Sequence, residues 1–156
     1  MKTLSVKQPW AYLLCAGIKD IENRTWKTNY RGRVFIHAGM SGSSYIFENR
    51  SLFRASQEAE IWLNCDYESA IPKGAIIGSV EIVDCVLNHE SIWAEHKAAV
   101  QRKINGEKVF IEVPVYNWVI ANPIMFANPW LNIKGKLGLW EFENMKGFYD
   151  TTLVRK

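Results

Sequence analysis

The sequence predicts a small α+β fold in which short strands form a mixed β-barrel flanked by two or three helices. Three observations lead there. Strand-like runs are brief and punctuated by turn residues, at Arg31-Gly32, Pro72-Lys73-Gly74, Asn105-Gly106, Pro123, Pro129 and Gly135. The helical stretches do not alternate regularly with the strands, which disfavours a doubly wound sheet. A chain of 156 residues, 48% hydrophobic and 22% charged, suits one domain, residues 1–156, around one core.

In chain order, Thr3–Val6 reads as a strand. Pro9 then opens a short helix, because its missing N–H is one that the first turn leaves unpaired anyway. Trp10, Leu13 and Leu14 recur at helical spacing and Gly17 supplies the left-handed stop. Ile18–Trp26 reads as extended, and Arg33–Ala38 as a strand. From about Ser44 to Asn64 helix formers dominate, with Ser43 or Ser44 as N-cap. Ala75–Leu87 is the longest strand-like run, with Ile76, Val80, Ile82 and Val86 on one face and Ser79 and Glu81 on the other. Ser91 to about Lys103 is predicted to be an amphipathic helix burying Ile92, Trp93 and Val100. Val109–Val113, Asn117–Ile120 and Leu137–Phe142 follow as short strands.

The N-terminal residues carry charge but no apolar run, and nothing approaches the roughly 18 apolar residues of a membrane span. A cytoplasmic protein with no membrane partner is expected. Cys15, Cys65 and Cys85 are odd in number and lack C-x-x-C spacing, which excludes a disulfide scaffold and a zinc site of the usual kind. No metal and no cofactor are expected. His37 reads as a hydrogen-bonded strand residue, and His89 and His96 lack metal-ligand spacing.

Charge falls in blocks: residues 1–54 carry a net +6, residues 55–96 a net −7 and residues 97–156 a net +4. If the two positive blocks meet, they concentrate field at an anion-binding cleft. The densest cluster of informative residues lies in the first block. Lys7 and Gln8 precede a helix start that can hold a phosphate. On an extended segment Glu22, Arg24 and Trp26 would share one side, an acceptor beside a donor and a stacking surface. Such a set reads a base edge and stacks on its face. The alternatives are an ordinary ion pair for Glu22 and Arg24, core positions for Trp10 and Trp26, and a dipole-complementing role for Lys19. Glu81, inside an apolar strand, either faces solvent or faces a cleft that would raise its pKa.

The pattern Gly17-x-Lys19-x-x-Glu22-x-Arg24 after Gln8-Pro9-Trp10, with Arg31-Gly32-Arg33 opening the next strand, resembles the ASCH domain (activating signal cointegrator homology). The Gly74–Val86 strand, the Trp118 segment and Lys134-Gly135-Lys136-Leu137-Gly138-Leu139-Trp140 extend the resemblance over roughly residues 3–142. It implies a PUA-like barrel with a ligand cleft bordered by the Gly17–Arg24 motif.

Two functions lead, and a protein-interaction adaptor with no nucleotide ligand stays open as a third. The first is an RNA- or modified-nucleoside-binding module using Lys7, Gln8, Trp10, Lys19, Glu22, Arg24, Trp26 and Arg33. The second, implied by compact members of the family, is an amidohydrolase or ribonuclease acting on acylated nucleosides or RNA, with Lys19 and Glu22 as the catalytic pair. Those compact enzymes carry threonine three residues after the lysine, where this chain has Glu22, and their glutamate corresponds here to Glu81, Glu90 or Glu95. With Glu22 and Arg24 as neighbours, Lys19 is expected to titrate as an ordinary charged amine, which favours binding over attack.

Overall fold

The computed structural model describes residues 1–42 and 72–143; the helix predicted near Ser44–Asn64 lies outside the described residues. The elements are β1 (Lys2–Gln8), α1 (Trp10–Cys15), β2 (Ile21–Arg24), β3 (Gly32–Gly42), β4 (Ala75–Leu87), β5 (Lys97–Ile104), β6 (Glu107–Pro114), β7 (Tyr116–Trp130) and β8 (Leu139–Glu141). Six strands form one mixed sheet in the order β2-β7-β4-β3-β1-β8, and β5 pairs with β6 alone. The β1–β3 ladder is parallel and its neighbours are antiparallel.

Central strands alternate between two cores. Along β3, Val34, Ile36 and Ala38 face the cluster that α1 covers with Ala11, Leu14 and Cys15. Phe35 points the other way into Ile76, Phe126, Trp130, Trp140 and Phe142. Gly78 on β4 permits the close approach of α1, since a Cβ there would lie 2.7 Å from Cys15 Sγ. Trp118 is wholly buried at the centre of the α1-side core, where truncation to Ala would cost about 3–5 kcal/mol.

Four expectations are corrected. The barrel is open, because β2 and β8 stand at opposite edges and, at four and three residues, are too short to carry a closing ladder. The described residues are β-dominant, with one short helix where the sequence predicts two among them. The helix predicted over Ser91–Lys103 is a turn followed by β5. Its Ala, Lys, Gln and Arg residues favour helix locally, but the Asn105-Gly106 turn, with φ of 50° and 88°, folds the segment back onto β6. β7 also continues through Pro123 and Pro129, where the β4–β7 register shifts and β2 pairs only with Tyr116–Val119, so neither missing N–H breaks a ladder.

In β4, Val80 and Ile82 are buried as the alternation predicts. Ile76, however, joins the opposite core and Cys85 takes the place of Val86, because shifts between Ile76 and Gly78 and between Ile82 and Asp84 each offset the pleat. Cys15 and Cys85 are free and buried, and burial pushes the Cys15 thiol far up. No helix of the described residues is long and apolar enough to cross a membrane, and no group of three or more His, Cys, Asp or Glu among them is arranged to hold a metal.

Candidate functional site

The chain leaves α1 through Gly17, whose φ of 76° is readily open only to glycine. Leu13 O then accepts from both Ile18 N (3.0 Å) and Lys19 N (3.1 Å), which fixes Lys19 beneath the helix. Lys19 is 4% exposed. Its Nζ donates to Ile21 O and to Glu22 Oε2 (3.5 Å) and lies 5.8 Å from the centroid of the Trp10 ring. Burial lowers the Lys19 pKa below the ordinary lysine value, against the upward pull of Glu22 and Glu95. The expectation of an ordinary amine is therefore corrected, because desolvation outweighs the ion pair.

Glu22 and Arg24 share one side of β2, as strand alternation requires. Arg24 Nε is 3.0 Å from Glu22 Oε1, an ion pair by proximity without an aligned hydrogen bond. Arg24 Nη2 donates to Ser5 O at 2.7 Å, tying β2 to β1. Between these strands opens a cleft of about 890 Å³, lined by Lys7, Trp10, Lys19, Glu22 and Arg24 on one side and by residues 92–97 on the other.

That second wall is fastened by two asparagines. Asn117, wholly buried, donates to Asn23 Oδ1 (3.0 Å) and Glu95 O (2.8 Å) and accepts from His89 N (3.0 Å). Asn23 donates to Trp93 O (2.8 Å) and accepts from Glu95 N (3.1 Å). Trp93 thereby meets Trp10 edge to face at 6.2 Å. Glu95 stands exposed at the cleft wall, where desolvation raises its pKa, with Lys19 opposing and Glu22 adding to the rise. Lys97, paired to Glu112 at 2.7 Å, stands at the rim. Cations of both basic blocks thus meet at one cleft.

A family model for the ASCH domain matches residues 4–130. The chain belongs to the ASCH domain family. It is 29% identical over 143 residues to Activating signal cointegrator 1 of Homo sapiens, covering 90% of this chain and 22% of that protein. The Mus musculus protein of the same name gives the same identity and coverage. The chain therefore spans about a fifth of the length of these curated relatives.

Within the ASCH match, five of the eight binding candidates read from the sequence line the cleft: Lys7, Trp10, Lys19, Glu22 and Arg24. Three do not. Gln8 is buried and caps α1, its Oε1 accepting from Tyr12 N at 3.1 Å while its Nε2 donates to Pro72 O. Trp26 lies beyond the end of β2, so alternation no longer aims it; its ring packs edge to face on Trp118 at 4.6 Å. Arg33 is spent on Glu81 Oε1 (3.0 Å), Ser79 Oγ and Asn122 O. Asn122 and Arg33 hold the Glu81 pKa below the usual carboxylate value, the opposite of a cleft carboxyl. Of the glutamates considered, Glu95 lines the cleft, whereas Glu81 and Glu90 do not. Sequence reasoning missed Asn23 and Asn117 as organisers of the site, although each is an amide inside a strand-like segment, the kind of residue that demands partners.

Proposed function

We propose that the cleft binds a nucleoside unit of RNA or a free modified nucleoside. One observation carries this reading: Lys7, Arg24 and Lys97 line the cleft beside the half-buried ring of Trp10, which the core residue Trp93 backs edge to face. Exposed lysines suit phosphate, a guanidinium suits a base edge or phosphate, and an indole ring suits a base face. Lys19 acts from below as the buried support of Glu22, since its ammonium is engaged by Ile21 O and Glu22. The test is the affinity of a labelled single-stranded RNA for the wild type and for Lys7→Ala/Arg24→Ala. Loss of about tenfold or more, with a weaker salt dependence, is expected. Equal affinity across a panel of RNAs would remove the site.

A second reading, hydrolysis of an acylated nucleoside, is favoured by one specific observation. Lys19 with a lowered pKa and Glu95 with a raised one line the same cleft, and perturbed acid–base groups gather where proton transfer occurs. Against it stands the burial of the Lys19 amine behind its own hydrogen bonds. Acetate release from N4-acetylcytidine that disappears in both Lys19→Ala and Glu95→Gln would establish hydrolysis.

A further inference from the structure

Apart from Lys97 at its base, the β5–β6 ribbon lies outside the cleft lining. Its eight cross-strand pairs run from Lys97 and Pro114 to Ile104 and Glu107, a length of roughly 25 Å at about 3.3 Å per residue. Beyond each other, β5 and β6 make at most marginal contact with the described elements. Residues directly opposite share a face. One face carries Ala98, Val100, Val109 and Val113, all half-buried, with Ile111 and, toward the ribbon tip, Arg102, Ile104 and Glu107 exposed. The other carries Lys97, Gln101, Lys103, Lys108, Phe110 and Glu112, all exposed.

Two features of the exposed face suit a bound anion beside a stacking partner. Lys103 and Lys108 are direct cross-strand partners, and like charges set opposite each other oppose pairing until an anion lies between them. The next pair, Gln101 and Phe110, holds a phenyl ring that is 72% exposed. Paired cations beside an open aromatic face suit single-stranded nucleic acid, whose phosphates meet the lysines while a base stacks on the ring. The same face begins at Lys97, on the rim of the cleft.

Resting on the cleft reading above, we infer that the Lys103, Lys108 and Phe110 face is a second contact for single-stranded RNA, engaged by nucleotides that continue from the one in the cleft. Lys103 lies six residues along β5 from Lys97, roughly 20 Å away. A mononucleotide cannot span that distance, and an extended strand can.

The test compares two probes on Lys103→Gln/Lys108→Gln and on Phe110→Ala: a labelled single-stranded RNA of about 12 nucleotides, and cytidine 5′-monophosphate. For the RNA, affinity should fall about tenfold in each variant. In the double-lysine variant the slope of log affinity against log salt should also shrink by about 1.4, or about 0.7 per lost phosphate contact. Mononucleotide binding and thermal midpoint should stay as in the wild type. Unchanged RNA affinity and slope in both variants, with both probes bound by the wild type, would overturn the ribbon contact and leave the cleft reading intact. Binding of neither probe by the wild type would overturn the cleft reading and the ribbon contact with it. Self-association lost in the variants without any change in RNA affinity would make the face a protein interface and overturn the inference.

Discussion

Lys19 Nζ lies 3.5 Å from Glu22 Oε2, and the two side chains are only 5% and 8% exposed. Removing one partner of a buried pair leaves an uncompensated charge, at a cost of about 3–5 kcal/mol. Glu22→Ala is expected to lose about that much stability in urea denaturation, because it strands the Lys19 ammonium. Lys19→Met should cost less, since Glu22 keeps Arg24 and the methionine fills the space without a charge. An equal or greater loss in Lys19→Met would contradict this division of roles.

The titration of Lys19 follows from the same geometry. Burial is the largest cause lowering its pKa, and Glu22 the largest cause opposing the drop. Glu22→Gln keeps the burial and removes the opposition, so the amine should titrate lower still, as nitrogen-detected NMR would read. A folded pKa below the unfolded one gives stability that is complete above the unfolded pKa and is lost as pH falls through the folded value. A Lys19 titration that moves up in Glu22→Gln would reverse the assignment.

Glu95 behaves oppositely. Its pKa is raised first by desolvation, so its contribution is complete below the unfolded glutamate value and is lost as pH rises through the folded one. As pH rises from below the ordinary glutamate pKa through the raised one, the wild type should lose stability relative to Glu95→Gln. Parallel stability profiles for the two proteins would show that Glu95 is solvated.

Asn117 joins three backbone or side-chain groups from two segments. Asn117→Ala leaves His89 N and Glu95 O without their partner and should cost about 2–3 kcal/mol, as expected for buried groups left unsatisfied. Hydrogen exchange should accelerate at His89 and Glu95 before it does so in β3 or β4. Uniform acceleration across the sheet would mean that the 88–96 segment is not held locally by this amide.

Much of the site was legible because strand and helix periods are short-range. Glu22 and Arg24 fall on one side of β2 by alternation, and Gly17 ends α1 as its type suggests, so the first wall of the cleft could be read from neighbouring residues. The second wall could not. Trp93 and Glu95 face the cleft only because Asn23 and Asn117 hold their backbone, a relation across 22 to 94 residues of chain. The same limit explains β5, where local helix formers yield to pairing with β6, and Arg33, whose partners Glu81 and Asn122 come from two other strands. An open sheet in place of a barrel is likewise a property of the β2 and β8 edges, which no single segment displays.

The most direct measurement is chemical-shift mapping of the folded protein titrated with cytidine 5′-monophosphate. If the cleft binds a nucleoside unit, perturbations should cluster at the Lys7 and Glu95 amides, the Arg24 side chain and the Trp10 and Trp93 indoles, saturate with one affinity, and vanish in Lys7→Ala/Arg24→Ala. Shifts confined to other surfaces, or none at millimolar ligand, would contradict it.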